Sequence, residues 1–313
     1  MQGSQVPDPA QPCSAEMRTV VVLQTHYVDR ALIRFFGKLA AQGTLRYEVV
    51  LLMHAPAGTR KPHLISAIPH HFVTTPEIRD PAYTNKSAIG SEWHIWKGGH
   101  TDLSALHFYQ KNPEFDFYWF VEYDVRFSGD WAEFFGAFAE DSTDLLTTSL
   151  RRATVDETWM HWPTLRPAEN ATPLDNADRI CGFMPIFRVS RHGMAAMDRA
   201  YREGWTGHCE ATWPTIINLA GLRVQDIGGD GEFVSPGNQN RFYTNTLSSK
   251  DLSPGSLAFR PARFRPGPQR NRLWHPVKPL LLKVREDARR AVPAWIKRIQ
   301  RRHRHVPAQS SPA

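Results

Sequence analysis

The stretch that decides the fold runs Phe115-Asp-Phe-Tyr-Trp-Phe-Val-Glu-Tyr-Asp-Val-Arg-Phe-Ser-Gly-Asp-Trp131. From Phe117 to Glu122 it is nearly all apolar and rich in aromatic and β-branched types. That composition suits a strand buried on both faces of a sheet. Polarity then changes sharply. Glu122 and Asp124 stand two apart at the strand's carboxyl end, so in extended chain they point to one face. Two carboxylates so placed repel each other unless a cation lies between them. A divalent ion held by oxygen ligands, and by substrate phosphates, meets that need. Open α/β sheets bind ligands outside the carboxyl ends of their strands, where this pair falls. An aromatic core strand followed by a solvated acidic turn is the other reading of the same residues.

Working outward, Ser128-Gly129-Asp130 reads as a turn, with Ser128 or Asp130 as the N-cap of a helix through Ala139. Upstream, Thr19 to Gln24 is a Val-rich strand. His26 to Ala41 carries Leu32, Phe35, Phe36, Leu39 and Ala40 at helical spacing. Tyr47 to Met53 is a second strand, and this strand-helix-strand opening predicts a nucleotide-binding α/β sheet. Phe72 to Thr74 is a short strand, Pro76 to His100 is irregular, and Asp102 to Gln110 is a helix. Downstream, Asp144 to Ser149 and Ile180 to Val189 read as strands, the second interrupted by Gly182 and Pro185. Ser190 caps a helix through Arg202, Glu210 to Ala220 is another, and Leu222 to Ile227 is a strand. The long aperiodic Arg151 to Asp178 segment, with Trp159, His161 and Trp162, is expected to be a substrate loop. Ser235 to Asn271 is a Pro-, Gly- and Arg-rich wrapping segment.

Composition sets limits on function. With 41% hydrophobic and 22% charged residues among 313, the chain is globular and large enough for a substantial core. Three cysteines, Cys13, Cys181 and Cys209, share no metal-type spacing and predict a reducing, cytoplasmic setting. No apolar run approaches the ~20 residues that span a bilayer, and Met1 to Ala15 lacks the basic start and apolar core of a signal peptide. The net charge of +7 is uneven. Pro276 to His305 holds ten Lys/Arg against Glu286 and Asp287, so this segment carries +8 and the remainder about −1. A basic domain for nucleic acid is therefore not expected. Residues 1–17 are expected to be disordered, 18–278 to form the catalytic domain, and 279–313 a basic helical tail with a disordered end. Trp295, Ile296 and Ile299 share a helical face with Val292, so the tail is a candidate for peripheral contact with an anionic membrane surface. A solvated helix packed on the domain is the competing reading.

Strand, acid-x-acid, turn and amphipathic helix together resemble the metal centre of glycosyltransferases with the GT-A fold, with Glu122 in place of the family's first Asp. The likeness spans Thr19 to Lys278 and rests on the order of elements. It implies an α/β fold, a GT-A-like Rossmann-type mixed sheet with helices on both faces. It also implies Mn2+ or Mg2+ held by Asp124, with Glu122 touching ribose or metal and a late histidine, His275, completing the site. Lys278 and Arg272, the latter in a run with Arg260, Arg263, Arg265 and Arg270, would meet the nucleotide diphosphate; a solvated basic loop is the other reading of the arginine run. The acid opening a later helix, Glu210, would be the general base that takes a proton from an acceptor hydroxyl. A helix-start acid is also favoured by the dipole alone, so simple capping stands beside that role. The implied donor is a nucleotide-diphosphate sugar. The acceptor is an unknown glycan, lipid-linked or small-molecule hydroxyl, with inversion at the sugar. Two rivals remain. A metal-dependent phosphate-ester hydrolase would need further acids or histidines around two metals, and a non-catalytic nucleotide-sugar-binding module would need none. No Gly-x-Ser-x-Gly, His-Glu-x-x-His or Cys-x-x-Cys motif is present.

Overall fold

The structure, a computed structural model, describes residues 17–42, 47–87, 99–245, 255–258, 261–280 and 283–284. The N-terminal segment, Trp93, Trp96, Lys97, Arg260 and the basic tail beyond 284 lie outside the described residues. Seven strands form one sheet: β1 (Thr19–Thr25), β2 (Tyr47–Ala55), β3 (His70–Thr74), β4 (Phe117–Glu122), β6 (Leu145–Arg152), β7 (Ile180–Ser190) and β8 (Val224–Asp226). Their order is β3-β2-β1-β4-β7-β6-β8. The first four are parallel, β7 runs antiparallel to both β4 and β6, and β8 is parallel to β6. A separate two-stranded pair joins β5 (Arg126–Phe127) to β9 (Leu273–Trp274).

β4 is central because its side chains alternate between two cores. Tyr118 and Phe120 enter the layer under α4 (Asp102–Lys111), α6 (Arg191–Arg202) and α7 (Cys209–Leu219). Trp119 and Val121 enter the layer under α1 (Arg30–Gln42) and α5 (Trp131–Gly136). Helices therefore cover both faces, as the sequence predicts. Both layers are dominated by aromatic rings; Trp119 alone makes edge or tilted contacts with Phe134, Phe135 and Phe138. Fully burying such rings contributes on the order of 2–3 kcal/mol each.

The boundaries move for identifiable reasons. α1 begins at Arg30 rather than His26, because the Asp29 carboxylate accepts from Leu32 N at 2.7 Å and starts the helix there. At α5 the cap is Asp130, which accepts from Ala132 N at 2.8 Å. Ser128 instead ties the wrapping segment down, donating to the Gln269 carbonyl at 2.6 Å. β7 is continuous despite Gly182 and Pro185. The β7–β6 register shifts between Thr148–Phe183 and Leu146–Arg188, and Pro185, which has no N–H to donate, falls in that irregularity. Pro76 to His100, read as irregular, contains among its described residues two short helical turns, α2 (Thr75–Ile78) and α3 (Thr84–Ser87). Cys181 and Cys209 are buried free thiols. No described helix is long and apolar enough to cross a membrane.

Candidate active site at the carboxyl edge of the sheet

β4 ends at Glu122, and the chain turns at once, with Val125 N donating to Glu122 O at 3.0 Å. Asp124 thus leaves the strand, and the two carboxylates converge through a turn rather than along one extended face. The late strap reaches them by pairing: β9 lies against β5 with Trp274 opposite Arg126, which delivers the next residue, His275, to the turn. Val277 N donates to Asp124 O at 2.7 Å and locks the strap. His275 Nδ1 lies 2.7 Å from the Ala258 carbonyl and so carries its proton there, leaving Nε2 to face the carboxylates. Nε2 is 3.3 Å from Glu122 Oε2 and 3.3 Å from Asp124 Oδ1, while Lys278 Nζ is 3.6 Å from Asp124 Oδ2.

Asp124 is only 4% exposed, and its buried Oδ1 has no well-aligned hydrogen bond, only the 3.3 Å approach of His275 Nε2. Burial would raise its carboxyl, but the His275 and Lys278 cations outweigh burial and hold it below the usual range. Burial would lower His275, but Asp124 and Glu122 push it up to about 10. Two carboxylates and an imidazole, with ligand atoms within 4.8 Å of one another and one buried oxygen without a well-aligned hydrogen bond, form a donor set suited to a divalent cation. Beside it, His26, Tyr27 and Tyr123 meet edge to face at 5.0–5.3 Å. Burial lowers the His26 imidazole against the pull of Asp124, so this aromatic corner adjoins the carboxylates.

Glu210 approaches the same edge from α7. His208 caps the helix, its Nδ1 accepting from Glu210 N at 3.3 Å. The Glu210 carboxylate accepts from Met184 N of β7 at 3.4 Å and lies 3.7 Å from His208 Nδ1. β7 runs antiparallel to β4, with Ile186 opposite Val121, so Met184 stands near the end of β4. Burial pushes Glu210 up to about 8, helped by the Glu122 charge and opposed by the Met184 hydrogen bond, Arg151 and His275. The His161 ring stacks on His208 at 3.8 Å and 22°, with Trp159 edge-on to both. Burial lowers His161 and drives His208 down to about 3, with His161, Lys86 and His100 adding to the fall. Both rings are therefore neutral.

Of the residues singled out from sequence, Glu122, Asp124, His275 and Lys278 meet in one cluster and Glu210 adjoins it. Arg272 does not join them. Its guanidinium donates to the Arg241 carbonyl, and its backbone pairs with Ser128. Arg263 stacks over Trp274 at 4.9 Å and Arg265 over Phe264 at 5.1 Å. Sequence reasoning gave His161 no place beside Glu210. Its only signal was its position in a loop dense in Trp.

No family model matches the chain, and no curated protein does. Among solved structures, the chain is similar to the inositol-1-phosphate CTP transferase from T. maritima, at 12% identity and TM-score 0.35, over 72% of this chain and 93% of that one. It is also similar to core-mannan synthase A from Aspergillus fumigatus in a Mn/GDP form, at 12% identity and TM-score 0.34, over 70% and 74% of the two chains. Likeness at this level bears on neither substrate nor chemistry, which rest on the residues themselves.

Proposed function

We propose that this protein is a metal-dependent glycosyltransferase that moves a sugar from a nucleotide-diphosphate donor to an acceptor hydroxyl, with inversion. The observation that carries the reading is Glu210, a half-buried carboxylate of raised proton affinity beside a separate acid-acid-histidine set. Asp124, Glu122 and His275 would hold Mn2+ or Mg2+, and the His26–Tyr27–Tyr123 corner and Lys278 would receive the nucleotide. The ion, when bound, supplies positive charge to offset what develops on the diphosphate leaving group. Glu210 accepts the acceptor's hydroxyl proton as that oxygen attacks the anomeric carbon. The neutral His208 and His161 rings donate and accept hydrogen bonds to hydroxyls without competing for the proton.

Glu210 is also what favours glycosyl over nucleotidyl transfer. The nucleophile in nucleotidyl transfer to a sugar phosphate is already an anionic oxygen, which calls for cations and not for a carboxylate base. A phosphate-ester hydrolase built on two metals is the second reading, favoured by the grouping of His161, His208 and Glu210 as a further donor set. The α7 cap weighs against it. Glu210 N–H points at His208 Nδ1, and a helix N-terminus repels a cation. The test is a panel of nucleotide sugars with Mn2+, read as nucleoside diphosphate released with and without saccharide or lipid-linked acceptors. Acceptor-dependent release supports the transferase. Release of inorganic phosphate from simple esters, without acceptor, supports the hydrolase.

A further inference from the structure

Beneath the turn that leads into α7 lies a buried ion pair that the chemistry above does not use. Lys86, on α3, is fully buried. Its Nζ donates to the Gly207 carbonyl at 2.7 Å, pairs with Asp102 Oδ2 at 3.0 Å, and sits 4.8 Å above the Tyr201 ring. Asp102, in the first turn of α4, also accepts from the Tyr201 hydroxyl at 2.5 Å and from Trp213 Nε1 at 2.9 Å. Thr212 of α7 bonds the same Tyr201 hydroxyl at 2.8 Å. One carboxylate thus gathers α3, α4, α6 and α7.

The turn it supports has no regular structure of its own. Gly207 has φ 143°, and a Cβ there would lie 2.7 Å from the Thr164 carbonyl oxygen, so only glycine fits. His208 N donates to Thr164 Oγ1 at 3.0 Å and Cys209 N to Gly99 O at 2.7 Å. Lys86 is the charged anchor among these ties. A buried ion pair costs desolvation that apolar packing of the same volume avoids, so its retention calls for a geometric role. We infer that Lys86 and Asp102 are positioning residues: by clamping the Gly207 carbonyl, they fix the turn from which His208 caps α7 and Glu210 reaches the sheet edge. This rests on the reading of Glu210 as the base, and extends it from the carboxylate to the framework that aims it. Asp102 Oδ1 is buried without a hydrogen-bond partner, so the contacts of this carboxylate to Lys86, Tyr201 and Trp213 all run through Oδ2.

The experiment uses the full chain and a double variant, Lys86→Met with Asp102→Asn, which removes both charges and leaves Tyr201 and Trp213 an amide oxygen to meet. Glu210 is followed by NMR of isotope-labelled glutamate carboxyls, its signal identified by its loss in Glu210→Gln. Glu122, Arg151 and His275 are the charges that act on it, and none is altered. The expected result is that the double variant melts cooperatively and binds Mn2+ as the parent does. Its Glu210 midpoint falls from about 8 toward 4.5, and donor turnover falls through kcat with KM kept. An unchanged midpoint in the folded variant overturns the inference and leaves the pair as core. If the double variant does not fold, Lys86→Gln takes its place. That side chain is neutral, can donate to Asp102, and is one bond too short to keep the Gly207 clamp, and the same two outcomes decide. Should the parent turn over no nucleotide sugar, the transferase reading fails on its own, while the titration still tests the positioning.

Discussion

Two histidines at one sheet edge, His275 buried and His208 half-buried, end in opposite states. Burial lowers both imidazoles, yet His275 stands at about 10 and His208 at about 3. The difference is company. His275 faces Glu122 and Asp124 at 3.3 Å, whereas His208 faces a second histidine ring, a distant lysine, and Glu210, a carboxyl whose proton affinity burial raises. The β4 cluster is ionic, with an imidazolium and Lys278 standing where a divalent cation would neutralise the acids. The α7 cluster joins two neutral rings to a carboxyl that takes up and releases a proton around its midpoint of about 8. One holds charge and the other handles protons, and a transferase with a charged leaving group and a neutral nucleophile needs both.

Removing a carboxylate from the ionic cluster is the strongest way to break that contrast. Asp124→Asn keeps the shape of the turn and the Val277 N–H to Asp124 O backbone bond, but it removes a ligand. Because loss of mere outer-shell partners costs 10–100-fold in metal affinity, loss of Asp124 should weaken Mn2+-dependent nucleoside-diphosphate binding by at least about 100-fold. Calorimetric titration with and without Mn2+ measures it. Equal binding in parent and variant would mean that the cluster is a structural ion-pair network.

The corresponding cut in the neutral cluster is Glu210→Gln. It should leave Mn2+ and nucleotide binding intact and lower turnover by about 10²–10⁴-fold. The same change has a stability signature of defined sign. Glu210 titrates near 4.5 unfolded and at about 8 folded. Its contribution is therefore fully present below 4.5 and is lost as pH rises through 8. Above that window the glutamine variant should melt higher than the parent. Each tenfold change in proton affinity between the two states is worth at most about 1.4 kcal/mol, and the 18% exposure of the side chain reduces that. Melting curves on either side of the window test the sign; a variant less stable at high pH would mean that Glu210 is ionised and well paired.

The contrast was only half legible in the sequence. Short-range patterns located β4, α1 and α7 because aromatic runs and helical spacing are local properties. The acid-x-acid pair was visible for the same reason, and its partner His275 was reachable only through order along the chain. That order could not reveal the pairing of Trp274 with Arg126, which brings His275 to the turn across 151 positions of sequence. The neutral cluster depends on a loop with no periodicity. His161 reaches His208 because Arg166 and Thr206 form a β-bridge between that loop and the turn before α7. Lys86 lies in the segment that reads as irregular, and nothing local shows that its carboxylate partner lies 16 residues away at the start of α4. Arg272, in a basic run beside the candidate site, places one guanidinium nitrogen on the Arg241 carbonyl, a contact 31 positions away that nothing local in the sequence shows.

The smallest expected effect concerns the cap that joins the two roles of His208. Its Nδ1 caps α7, and that acceptor exists only while the ring is neutral. The folded midpoint is about 3 against 6.5 unfolded. The cap's contribution is therefore complete above 6.5 and is lost as pH falls from 6.5 toward 3. Asparagine is a strong N-cap that does not titrate. His208→Asn should therefore match the parent within about 0.5 kcal/mol at pH 7.5 and exceed it by about 1–2 kcal/mol at pH 5, the ceiling set by protonation of the unfolded histidine. It keeps Glu210 and the cation ligands but removes the stacking partner of His161. Urea midpoints at the two pH values read the difference, with the β4 cluster unaltered as internal control. A variant that gains nothing at pH 5 would mean that His208 is already protonated in the folded protein, and the neutral cluster would then have to be redrawn as a second ionic one.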